Sequence, residues 1–425
     1  MTNVAYAKRN IPLLKIRKFF YGLIKIWRIF NQIILNLPND RVIKNIVIMV
    51  DAVNKLDLGD IINRIYWGFP ENQNYRVKIK VIKKFSKINW IDIPIPTWQQ
   101  SHLIETSHIE FISTISIMDI LRADLILNTK FSKHLFYLLP YFIAKFEIAD
   151  PLYYGWSEGN IWMKKFYFTK SKNERKHYDD ISLNNFSNLR KTHLNTENAY
   201  CFLTGPSFDD YNKYTYDKNS LKIICNTIIK NKDFLNYIGK PDIVMFADCV
   251  FHFGPSKYAS QFRARVVEVV NEYKCFVVVP KLTVPLLLAH HPFLKDYIIG
   301  LDVTEKYSFP SVDNLKVYGT KSISTYLMLP LASSLAKTIF FIGADGRKPD
   351  ENYFWKHNPK VQFSDLMETV FLTHPSFFRD RDYSSDYEEY CYHFEELIKY
   401  GERKGKKYYS LTKSHIPALS NRYYK

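Results

Sequence analysis

The stretch Ala199-Tyr-Cys-Phe-Leu-Thr-Gly-Pro-Ser207 constrains this chain more than any other. A short apolar run stops at Gly205-Pro206-Ser207, and a polar segment follows. Apolar runs of this length between turn residues are strands buried on both faces, and such strands belong to parallel sheets covered by helices on either side. Gly205 lets the backbone approach a neighbour or an anion closely. Ser207 can cap the next helix or donate to a phosphate oxygen. The same spelling serves an ordinary strand-to-helix turn, so by itself it leaves both readings open.

The pattern recurs down the chain. Ile223-Ile-Cys-Asn226, Ile243-Val-Met-Phe-Ala-Asp248, Lys321-Ser-Ile-Ser-Thr-Tyr326 and Thr338-Ile-Phe-Phe-Ile-Gly-Ala-Asp-Gly346 are each a strand or a helix opening with a small polar residue at its end. Strand-like runs at 199–203, 222–225, 242–247, 274–280, 315–318, 338–342 and 407–410 alternate with helical patterns. That alternation predicts an α/β fold, a doubly wound parallel Rossmann-like sheet over 199–425. In such a sheet the carboxyl ends of the strands line one ligand crevice. Upstream, Asn45–Asp51, Val77–Ile82 and Ala123–Asn128 read as strands and His134–Phe146 as an apolar helix, which predicts a second α/β domain over 41–168. Gly155–Gly159 reads as a turn, and the polar, charged residues 169–198 as a linker.

At 425 residues the chain can bury two cores, and 47% apolar with 16% aromatic residues excludes a disordered one. The net charge of +17 points to an anionic partner, although Lys, Asn, Ile and Tyr are frequent throughout, so part of the excess is compositional bias. With no helix-turn-helix, RNP or zinc-knuckle pattern, no nucleic acid is expected. Cys201, Cys225, Cys249, Cys275 and Cys391 are scattered, without a CxxC pair, and read as reduced core thiols rather than a metal site.

The ordered strand-end motifs of residues 199–425 resemble the bacterial sialyltransferases of glycosyltransferase family 42. More distantly they resemble the motility-accessory flagellin glycosyltransferases and the pterin pyrophosphokinase-like proteins, which share a Gly-Pro-Ser turn. The resemblance implies transfer of a sialic or other ulosonic acid from a CMP-activated donor to a surface glycan or glycolipid acceptor, without metal or cofactor. It places the nucleotide on Thr204, Gly205, Pro206, Ser207, Asn226, Asp248, Ser324, Thr325 and Asp345. Thr204 and Asp248 stand where the family has Asn, and Ser324-Thr325 replaces a Ser-Gly opening. Tyr353 matches one of two tyrosines on the leaving phosphate, and Arg347 replaces the other. A guanidinium neutralises phosphate charge directly. His374 matches the family's general base by order, with His357 as a rival.

Two other readings follow from the same residues. A Mg²⁺-dependent nucleotide transferase of the pyrophosphokinase type would use Asp248 and Asp345 as ligands. A non-catalytic membrane-bound scaffold would merely retain the nucleotide fold. Asp380-Arg-Asp382 spells a metal-binding DxD, but it lies in a charged stretch that fits a solvated helix approach, and Mg²⁺ would need more ligands.

Residues 11–37 mix aromatic and aliphatic with basic side chains, and seven basic residues with no acid precede Asp40. Lys25 and Arg28 break the apolar run, which excludes a spanning helix and disfavours a signal peptide. The segment fits an amphipathic helix on an anionic membrane surface, or a helix packed on the protein with its basic face solvated. The first arrangement makes the protein cytoplasmic and peripheral to the inner face of the membrane. Deleting residues 1–38 should then abolish co-sedimentation with anionic vesicles at low salt and spare nucleotide binding. Unchanged sedimentation would favour the second arrangement.

Overall fold

The computed structural model describes residues 42–50, 52, 54–70, 74–81, 108–129, 145–150, 157–347, 358–373 and 383–424. Residues 11–37, most of His134–Phe146, and Tyr353, His357, His374 and Asp380–Asp382 lie outside them. The chain divides into two compact units. One comprises Met1–Arg175, Gly254–Ala259 and Glu368–Asp380, and the other Lys176–Phe253, Ser260–Met367 and Arg381–Lys425.

Among the described residues of the first unit, β1 (Asn45–Val50), β2 (Arg76–Val81), β3 (Ile109–Ile112), β4 (Leu125–Asn128) and β5 (Phe146–Ile148) form a parallel sheet. Their order is β3-β2-β1-β4-β5. The uniformly apolar β1 and β4 sit centrally, as two-sided burial demands. β2 alternates: Val77 and Ile79 are buried, while Lys78 reaches Asp119 at 3.0 Å and Glu110 at 3.6 Å. Asp119 also closes a capping box with Ser116. Those Ser116 bonds, and then Lys78, hold its carboxyl down at about 2. The edge strands β3 and β5 have only four and three residues, each interrupted by a glutamate, and carry too little pattern to be read from sequence. Ser157–Gly159, expected in a turn, opens the helix Ser157–Phe168.

In the second unit β6 (Asn198–Phe202), β7 (Leu221–Cys225), β8 (Ile243–Met245), β9 (Phe276–Pro280), β10 (Ile298–Thr304), β11 (Lys316–Tyr318), β12 (Thr338–Ile342) and β13 (Lys407–Ser410) form one parallel sheet. The order is β11-β10-β9-β8-β7-β6-β12-β13. Both units are therefore α/β with parallel sheets, as the alternation predicts. The strand missing from the sequence reading is β10, whose apolar run is broken by Gly300.

The same glycine corrects the linker expectation. Residues 172–192, within the stretch read as a linker, form one 21-residue helix. Its buried face is partly polar, which hides it from a hydrophobic pattern. Ile181, Phe186 and Leu189 are buried with Ser182 and Asn185 among them. The Gly300 amide donates to Ser182 Oγ at 3.0 Å, and Asn185 Nδ2 donates to the carbonyls of Lys295 at 2.9 Å and Ile298 at 2.8 Å. The helix is thus tied to the start of β10 by side-chain hydrogen bonds as well as by packing. Asn185→Ala would strand two carbonyls, and it should cost roughly 1–3 kcal/mol in urea unfolding. A change below about 0.5 kcal/mol, the usual scale for surface substitutions, would show that these bonds hold nothing.

Candidate functional site

Because all strands of the second sheet are parallel, their carboxyl ends share one edge. The strand order reverses between β6 and β12, which pair in register from Asn198↔Thr338 to Phe202↔Ile342. The segments leaving these two strands, Leu203–Ser207 and Gly343–Arg347, run side by side. Leu203 N donates to Ile342 O at 2.8 Å and Gly205 N to Gly343 O at 3.0 Å.

The Ser207 amide then donates to the carboxylate of Asp345, at 3.2 and 3.1 Å from its two oxygens. Asp345 therefore sits on the turn that was expected to face a phosphate. It also sits at the start of the 3₁₀ segment Pro206–Lys213, where unpaired amides favour an anion. Gly205 is required by this contact, since a Cβ there would run into Asp345 Oδ2 and the Gly343 carbonyl. Gly343 is required on both counts: its φ is +73°, and a Cβ would strike the Leu203 carbonyl.

Burial pushes the Asp345 carboxyl up, while the Ser207 bonds and the charge of His415 oppose the shift. For an acid whose folded pKa is raised, the contribution to stability is greatest below the ordinary carboxylate value and falls as pH rises through the folded one.

Three residues that sequence reasoning missed complete this edge, on the loop after β13. Ser207 Oγ donates to Thr412 Oγ1 at 2.8 Å, and Ser414 Oγ to the Ala344 carbonyl at 2.6 Å. His415 N donates to the Asp345 carbonyl at 2.6 Å, and the residue is exposed. The strand-end rule that singled out the other loops would have found them, because 407–410 reads as a strand and Thr412–His415 follow it directly.

On the other side of β6, Asn226 ends β7 in the left-handed region, with φ 50°, a conformation that Asn tolerates better than most residues. Its Oδ1 is buried and accepts no hydrogen bond among the described residues. Asp248, at the end of β8, caps the following helix by accepting from Phe251 N at 2.9 Å. Ordered by strand, the edge reads Asp248, Asn226, Thr204–Ser207, Asp345 and Thr412–His415.

Ser324 and Thr325 are fully buried, and their hydroxyls are engaged inside the protein. Ser324 Oγ lies 3.0 Å from Ser322 Oγ and donates to Tyr390 Oη at 3.3 Å, and Thr325 Oγ1 lies 2.7 Å from Thr320 Oγ1. One turn earlier on the same helix, Tyr383–Glu402, Tyr387 Oη accepts from Arg347 N at 3.1 Å. The Arg347 guanidinium lies 4.9 Å from the Tyr387 ring centroid, with Nη2 3.4 Å from Ser384 Oγ. This helix joins Arg347 to Ser324, and burial pushes the Tyr387 phenol up to about 12.

Four of the cysteines are buried and Cys391 is half-buried, and all five are free. No group of three or more His, Cys, Asp or Glu side chains among the described residues could hold a metal ion. No helix among them is long and apolar enough to cross a membrane.

No protein-family model matches this chain, and no curated protein matches it. A solved structure similar to it is that of the MAf glycosyltransferase from Magnetospirillum magneticum AMB-1, at 10% identity and a TM-score of 0.27. The similarity covers 87% of this chain and 55% of that one, so the chain spans little more than half the length of that protein. At that identity and TM-score the likeness says nothing about what this chain binds or does.

Gly205→Ala should cost roughly 1–3 kcal/mol, the scale of an overpacked interior. Combining it with Asp345→Ala should cost less than the sum of the two changes, because the carboxylate that the new methyl strikes is gone. Strict additivity in denaturant melts would show that the contact between turn and carboxylate is not formed.

Proposed function

We propose that this protein is a glycosyltransferase that binds a CMP-activated sugar, a sialic or other ulosonic acid, at the reversal of the second sheet. It passes that sugar to a surface glycan or glycolipid without a metal. The observation that carries the reading is Asn226. A buried amide oxygen with no donor is costly, and this one stands one strand from the Gly205–Ser207 turn, on the edge where open parallel sheets take ligands. A cytosine amino group or a ribose hydroxyl supplies the missing donor.

In this reading Asp345 holds the turn in shape, Gly205 allows the close approach, and the donor phosphate lies beyond the carboxylate, towards Arg347, with Tyr353 assigned to it by resemblance alone. The acceptor hydroxyl gives its proton to a base, His374 by resemblance, as its oxygen bonds to the anomeric carbon. The bond to CMP breaks, and CMP leaves with the electron pair. The sugar passes through an oxocarbenium-like transition state, and a base of this kind contributes on the order of 10²–10⁴-fold. The engagement of Asp345 on Ser207 and of Asp248 on its helix counts against the pyrophosphokinase-like alternative, which needs carboxylates open to Mg²⁺. The meeting of Gly205, Ser207, Asn226 and Asp345 at one edge counts against a bare scaffold.

CMP or CTP should raise the melting temperature of the full chain, since ligand at 100 times its Kd adds about 2.7 kcal/mol. UDP, GDP and ATP should do so weakly or not at all, and Asn226→Ala, whose own unliganded melt is lowered by the left-handed backbone at this position, should show no further rise with cytidine nucleotides. Sugar transfer should survive EDTA. Stabilisation by ATP alone, or turnover lost to chelation and restored by Mg²⁺, would move the assignment to the pyrophosphokinase type.

A further inference from the structure

The opposite edge of the second sheet, where the strands begin, holds a second concentration of charge. Glu197, Lys337 and Lys406 each precede one of the adjacent strands β6, β12 and β13, and the sheet pairing brings them together. Lys337 N donates to Glu197 O at 3.0 Å, and Lys407 N donates to Lys337 O at 2.9 Å. Two hollows of about 300 and 370 Å³ open here and share Arg190 and Ser334 as common walls.

Lys337 and Lys406 line the first hollow, and Lys404 lines the second, beside Phe309 and Tyr400. Against these three lysines and Arg190, Glu197 is the only acid among the described residues of either wall, and it pairs with Lys337 at 2.7 Å. Lys406 is half-buried with Nζ on the Ala336 carbonyl at 2.9 Å. Burial first, and then the charge of Lys337, pull its pKa down. An anion between the half-buried Lys406 and Lys337 at the open rim offsets the repulsion of these two cations.

The second hollow has a different character. Phe309 and Tyr400 meet edge to face with ring centroids 5.0 Å apart, and Lys404 Nζ lies 5.0 Å from the Tyr400 centroid. Ser308, Ser311 and Asn314 add hydroxyl and amide groups around the rings. Aromatic rings rimmed by small polar groups suit a ligand with apolar C–H faces and many hydroxyls.

We propose that these joined hollows bind an acidic saccharide, with its carboxylate, sulfate or phosphate group between Arg190, Lys337 and Lys406 and a sugar ring against Phe309 and Tyr400. Hollows of this size take single sugar units, whereas a nucleic-acid backbone calls for a continuous basic stripe. A five-residue strand spans about 17 Å, so a ligand here lies well away from the reversal of the sheet. The site accordingly binds rather than transforms its saccharide, and it stands independently of the transferase reading.

Calorimetry on the full chain with a heparin-derived tetrasaccharide, at physiological salt, tests this. The probe should bind, and the double change Lys337→Gln/Lys406→Gln should raise its Kd about tenfold, the loss of one or two charge-assisted bonds. Arg190→Gln, at an exposed position, should weaken binding in the same direction and gives an independent reading if the double variant folds poorly. Lys232→Gln/Lys360→Gln, on exposed lysines that follow β7 and β12 at the other edge of the sheet, should leave Kd unchanged, and neutral maltotetraose should not bind. Equal losses in the site and control variants would reduce the effect to diffuse charge and overturn the proposal. So would unchanged binding in both site variants, or an oligo(dT) that binds more tightly than the saccharide and depends on the same residues.

Discussion

The second unit depends on a single contact between residues 138 apart in sequence, the Ser207 amide on the Asp345 carboxylate. β6 and β12 are neighbours in the sheet, so the segments leaving them must either separate or satisfy one another. Here they satisfy one another. The carboxylate stabilises the start of the Pro206–Lys213 segment, and two glycines leave room for it. The loop after β13 braces the other side through Ser414 and His415. Polar groups that bond to each other in this way define one arrangement of the backbone, because any slip leaves a donor or acceptor unpaired.

That arrangement changes how an anionic ligand can be held. A turn ending in Gly-Pro-Ser presents amides that suit a phosphate, but here the Ser207 amide is already engaged by the half-buried Asp345 carboxylate. If the proposed donor binds here, its phosphate rests on side chains further out and its nucleoside is met from the neighbouring strand. Asn226 would suit this, since its amide oxygen is buried without a partner among the described residues. Arg347 stands at the outer end of the same segment as Asp345, stacked on Tyr387, and the helix that carries Tyr387 also carries the Tyr390 that receives Ser324.

The sheets were legible in the sequence where strands are apolar after their first residue, as at Asn45–Val50 and Thr338–Ile342. They were not legible where burial is shared with polar groups. β10 carries Gly300 because a Cβ there would strike Val284 and press on Lys281 and Ser182, and the helix that carries Ser182 was read as a linker because Ser182 and Asn185 lie on its buried face. The candidate site was legible as a set of strand ends, which parallel pairing gathers without further information. What the spelling did not convey is which groups are engaged inside the protein. Asp248 reads as a ligand and serves as a helix cap. Ser324 and Thr325 read as contacts and are buried. Thr412–His415 went unread although they obey the same rule. Positions follow from periodicity, whereas hydrogen-bond partners follow from tertiary placement.

The strand order also bears on how the sheet assembles. From β6 to β11 each strand lies beside its predecessor, so these six can add one after another with short closures. β12 must return to the first of them, and closing so long a loop carries an entropy cost that grows with its length. Contacts of that span form slowly. The reversal point is therefore the place where the sheet would be completed last and would part first. A molecule bound across it would act as a clasp on the whole unit, so occupancy there would set how long the fold stays shut.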